Sequence, residues 1–244
     1  LEAKPKGKDK RSTAERRYEH HEDAIDRDVL IPNPSESIPL ISPERATVEM
    51  CAFCFDVIIN KIKKLPPPSP AFQVEGLIFP FFVTWEKSSL SSKRLRSGRK
   101  TELSLRGCIG TLSPQPLAKL ADYARSSAFR DTRFNPINES EIPLLKCSVS
   151  LLIDYEDVED PYDWEVGKHG IMITFEDKHG VEYSGTYLPE VASEQNWTKE
   201  EALESLIRKS GYSGKVSDKM MKSLELTRYK SSKCGLHYDA YLAM

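Results

Sequence analysis

Apolar residues recur at steps of three and four at Cys51, Cys54, Ile58, Ile62 and Leu65, the stripe of a helix that Ser42-Pro43-Glu44 opens and Pro66-Pro67-Pro68 closes. Leu117, Leu120, Ala121 and Ala124 repeat the spacing after Leu112-Ser113-Pro114-Gln115-Pro116, which reads as a strand end, a turn and a helix start. Asn138 to Glu141 and Pro189-Glu190 read as two more helix starts. Another begins at the capping box Thr198-x-x-Glu201 and carries Leu203, Leu206 and Ile207 to Gly211. The strand signals are of a different period. Leu77 to Trp85 is an apolar, aromatic run, and Leu105 to Leu112 a second candidate strand. Leu145 to Ile153 alternates, with Cys147, Val149, Leu151 and Ile153 on one face and Ser148 and Ser150 on the other. Ile171 to Phe175 and Val181 to Leu188 flank the turn Asp177-Lys178-His179-Gly180, and Ser223 to Tyr229 closes the sheet. Strands and helices are mixed with antiparallel hairpins, which predicts an α+β fold.

Composition narrows the class. A chain of 244 residues with 39% hydrophobic and 30% charged residues suits a folded core, and no apolar run approaches the roughly 18 residues of a membrane helix. No apolar leader opens the chain. Five cysteines, an odd number, predict reduced thiols and an intracellular protein, nuclear or cytoplasmic. Residues 1–41 are charged and then proline-punctuated, as in a disordered tail, leaving 42–244 as the folded domain. Lys87 to Lys100 carries six basic residues and no acid, which predicts a mobile loop that is either simply solvated or, through phosphate contacts, a surface for nucleic acid or another anionic partner. Asp154 to Glu165 carries seven acids and reads as a solvated connector without the spacing of a calcium loop. Cys51-x-x-Cys54 lies inside a helix and lacks a second ligand pair, so neither a metal nor a cofactor is expected.

The chemistry concentrates at Leu105-Arg106-Gly107-Cys108-Ile109-Gly110-Thr111, where two glycines let other groups approach the backbone on either side of a thiol. Cys108 reads either as a small core residue or as a nucleophile. The nucleophile would need a thiolate stabilised by nearby cations, such as Arg106 or Arg133, and a base. His169, between Gly167 and Gly170, is the histidine best placed to be that base, or is a turn histidine bonded to backbone. Asp131 and Arg133 read either as a site pair or as a structural salt bridge.

These segments together resemble the AMMECR family, in its eukaryotic branch. The resemblance rests on Leu105 to Thr111, Arg133-Phe134 with Pro136, Cys147 to Leu152 and Trp164-Glu165-Val166-Gly167 with His169-Gly170. It continues through Thr186 to Ala192, Arg208-Lys209 with Gly211-Tyr212, and Leu226 to Tyr229, and spans about Ser42 to Leu242. It implies a mixed, largely antiparallel sheet packed by helices, with two subdomains. It also implies a cleft lined by motif residues, for which Arg106, Gly107, Gly110, Asp131, Arg133, Glu190 and Arg228 are the ligand-binding candidates. The family carries no established reaction; its prokaryotic members are similar to partners of Memo-type and radical-SAM proteins, and the eukaryotic branch is linked to basic nucleic-acid processes. The basic insertion at Lys87 to Lys100 departs from the pattern, and no C-x-x-x-C-x-x-C motif is present, so radical chemistry would belong to a protein partner. Two functions follow: a binding or regulatory module with a cleft around the RGCIG motif, or a cysteine-dependent enzyme using Cys108 and His169 on an anionic substrate.

Overall fold

The computed structural model describes residues 45–89 and 102–244. The tail expected over 1–41 and most of the basic stretch Lys87 to Lys100 lie outside the described residues. Helix α1, Val48–Lys63, buries Met50, Cys51, Cys54, Phe55 and Ile58. It starts at Val48, with Thr47 in extended backbone at its N-cap, and the opening expected at Ser42-Pro43-Glu44 lies outside the described residues. Lys64 in the left-handed conformation (φ 56°) ends it. Cys51 and Cys54 are fully buried, and the Cys51 thiol donates to the Cys234 carbonyl at 3.4 Å. That is core packing.

Strands β1 (Ile78–Ser88), β2 (Leu103–Pro116), β3 (Leu145–Val158), β4 (Gly170–Glu176), β5 (Glu182–Tyr187) and β6 (Glu225–His237) form one sheet in the order β2-β1-β3-β6-β4-β5. Each neighbouring pair is antiparallel. Helix α2 (Leu120–Phe129) joins α1 over one face of β1 and β3, where Phe81, Val83, Trp85, Cys147, Val149 and Leu151 are buried. Helices α3 (Pro189–Gln195) and α4 (Lys199–Lys209) close a second core with Ile171, Ile173, Tyr187 and Leu226. Among the described residues the remaining α-helices are single turns, α5 (Asp218–Met221) and α6 (Tyr238–Tyr241), and Leu117–Lys119 and Glu139–Leu144 are 3-10 helices. β6 contributes to both cores, through Leu236 to the first and Leu226 to the second.

Three segments differ from the sequence expectation. The turn expected at Ser113 to Pro116 is strand, because β2 is an edge strand and its prolines have no outer partner to deprive of an N–H. Part of the acidic connector is strand too: β3 passes a bulge after Ile153, with Asp154 at φ 55°, and continues to Val158 beside β6. The partner strand supplies the counter-charges. Lys230 reaches Asp154 at 3.0 Å, Arg228 reaches Glu156 at 2.8 Å, and the Thr227 hydroxyl donates to Asp157 at 2.5 Å. The closing strand extends eight residues past Tyr229, to His237, and occupies the interior of the sheet.

Candidate functional site

The glycines of the motif are set by packing on opposite faces of β2. A Cβ on Gly107 would stand 2.0 Å from the carbonyl oxygen of Ser127, so α2 sits directly on the strand there. At Gly110 the ring of Phe82 occupies the missing side chain's place, 2.1 Å from a Cβ. Between them, Cys108 presents its backbone to the open edge of the sheet. Its N–H donates to Asp131 Oδ2 at 2.8 Å, and its carbonyl accepts from Arg133 Nη2 at 3.1 Å. Asp131 and Arg133 are themselves joined at 2.9 and 2.6 Å. An ion pair therefore stands where a further strand would, satisfying the edge and blocking its pairing with another chain. Arg106 makes a second fork, 2.9 Å from both oxygens of Glu141, and Lys87 reaches the same carboxylate at 2.8 Å. Phe134 lies against both guanidiniums, 5.9 Å from Arg106 and 5.5 Å from Arg133. Both arginines that could hold an anionic group thus have internal carboxylate partners.

The side chain of Cys108 points the other way, into a cleft of about 140 Å³ between the sheet and α3. Its floor carries the hydroxyls of Thr84, Ser150 and Ser231 together with the ammonium of Lys233. Its walls add the carboxylates of Glu86, Glu190 and Glu194, and Phe82, Leu105 and Leu188 make the apolar part. Glu86 is held by Lys146 at 2.8 Å. Cys108 Sγ lies 3.1 Å from Thr84 Oγ1 and is 4% exposed; burial pushes the thiol up to about 11, outweighing Thr84 and Arg133, which favour the thiolate. Alkylation of Cys108 in the native protein is accordingly expected to be slow at pH 7 to 9 and to rise only toward the shifted value. Site-resolved mass spectrometry checks this, and an apparent pKa below the ordinary ~8.5 contradicts it.

His169 is elsewhere. It enters β4, which is separated from β2 by β1, β3 and β6, four strand spacings or about 19 Å along the sheet. Its Nδ1 accepts the N–H of Glu165 at 3.0 Å, and burial, then Lys168 and Arg228, lower its pKa, so the ring is held neutral. Arg228 donates to Glu156 at 2.9 and 2.8 Å and to the Asp163 carbonyl at 2.7 Å, tying down the connection before β4. The candidate residues thus fall into three groups. Cys108 and Glu190 line the cleft. Arg106, Gly107, Gly110, Asp131 and Arg133 build the strand edge beside it, and His169 with Arg228 fixes the entry to β4. Sequence reasoning missed Thr84, Ser150, Ser231 and Lys233; the serines alternating along β3 were their one visible signal. Among the described residues no cluster of three or more His, Cys, Asp or Glu is arranged for a metal, and no helix is long and apolar enough to cross a membrane.

The fold and the cleft define an α+β protein built on one antiparallel sheet, helices covering one face of the β1–β3 half and a polar cleft opening on the other. The AMMECR1 family model matches residues 51–234, and the chain belongs to that family. It is 46% identical over 200 residues to an uncharacterized protein of Arabidopsis thaliana, covering 81% of this chain and 88% of that one. An uncharacterized protein of Schizosaccharomyces pombe is 41% identical over 199 residues, covering 80% and 94% respectively. The crystal structure of an uncharacterized protein from Pyrococcus horikoshii has the same fold, with a TM-score of 0.55 and 24% identity over 78% of this chain and 90% of that one.

Proposed function

We propose that this AMMECR1-family protein is a binding module whose recognition site is the cleft between the sheet and α3, and that its ligand presents a protonated amine. The lining carries the reading: beyond Glu86, which Lys146 holds, the carboxylates of Glu190 and Glu194 and three hydroxyls share the cleft with one ammonium, around a thiol held in its neutral form. Carboxylates at this density repel phosphates and attract cations. The neutral imidazole of His169 is bonded to its own loop, so Cys108 has no base in that residue. The nucleic-acid contact expected of Lys87 to Lys100 would be a separate surface, and its first residue, Lys87, is committed to Glu141.

The test is a nuclear magnetic resonance titration of the whole chain with butylamine and, separately, with inorganic phosphate. Butylamine is expected to shift Thr84, Ser231 and Lys233 saturably, with affinity unchanged in Cys108→Ser and about tenfold weaker in Glu190→Gln. Preference for phosphate, or loss of binding in Cys108→Ser, overturns the reading.

A further inference from the structure

Two opposite charges line the cleft without meeting. Glu190 stands on α3 and Lys233 on β6, and among the described residues neither side chain makes a hydrogen bond or ion pair. They act on different neighbours: Lys233 on the thiol of Cys108, Glu190 on the hydroxyl of Tyr229. An uncompensated pair held apart across a small cleft matches a ligand that carries both charges, inverted.

The apolar part of the lining, Phe82, Leu105 and Leu188, suits a short aliphatic group.

We propose that the cleft binds a zwitterion of amino-acid size, an aliphatic α-amino acid or close analogue. Its ammonium lies at Glu190, its carboxylate at Lys233 and its side chain against Phe82 and Leu188. This rests on the cleft being the recognition site, and it adds the carboxylate to the amine.

Calorimetric titration of the whole chain with three probes separates the two. L-leucine carries both charges, L-leucinamide lacks the carboxylate and N-acetyl-L-leucine lacks the ammonium. Leucine is expected to bind at least about tenfold more tightly than either derivative. Lys233→Met is expected to weaken leucine by about tenfold without weakening leucinamide. Unfolding curves of each variant establish that it is folded. Leucinamide binding as tightly as leucine overturns the zwitterion and leaves the amine reading standing. Failure of all three probes, together with butylamine, overturns both.

Discussion

Replacing Gly107 with alanine is expected to destabilise the protein by about 3 kcal/mol or more, and valine to prevent cooperative folding. The added Cβ lands 2.0 Å from the Ser127 carbonyl oxygen and 3.1 Å from its carbon, both backbone atoms that no rotamer change can move. Relief requires α2 to lift from the sheet. That would also part the indole N–H of Trp85 from Ser127 Oγ, a buried hydrogen bond of 3.0 Å. Urea unfolding gives the measurement, with Gly76→Ala as comparison. Gly76 has nothing within 4 Å of an added Cβ, and its φ of 73° costs alanine about 1–2 kcal/mol through backbone strain alone. Equal losses at the two glycines would refute the packing argument.

Glu141→Gln is expected to cost about 3 kcal/mol at neutral pH and to remove a specific acid sensitivity. The Glu141 side chain is 10% exposed and accepts from Arg106, Lys87 and both the backbone and side-chain nitrogens of Asn138. Arg106 above all, then Lys87, hold its carboxyl down at about 2 against the opposing effect of burial. A folded-state pKa below the ordinary 4.5 means that the stabilisation is complete above 4.5 and is lost as pH falls toward 2. Thermal unfolding from pH 7 to 2 should therefore show the two proteins converging below 4.5, the parent falling more steeply. Parallel curves would show that Glu141 does not carry the effect.

The sequence was informative wherever one face of an element meets a core. The stripe from Cys51 to Ile62, though not its last member Leu65, which lies exposed past the helix end, the alternation from Leu145 to Ile153 and the Thr198 capping box recur as structure, because burial on one side imposes a period. The second half of β6, Lys230 to His237, escaped notice since the residues on one of its faces, Ser231 and Lys233 in the cleft and then Gly235, are polar or lack a side chain. The same chemistry that makes the cleft hides the strand. Asp131 and Arg133 were visible as a charged pair, but their service to the Cys108 backbone depends on β2 being at an edge, which no local pattern records. Cys108 drew attention through its glycines, and those glycines answer to Ser127 and Phe82.

The strand made last, β6, stands between β3 and β4 in the finished sheet. A ribosome delivering this chain from its N-terminus therefore releases β3 with an open edge and the β4–β5 hairpin with no sheet to join. Neither core is complete until residues 225–237 have emerged, since β6 contributes to both. Completion of the sheet thus waits for β6, and until then the nascent chain exposes strand edges that invite wrong pairing.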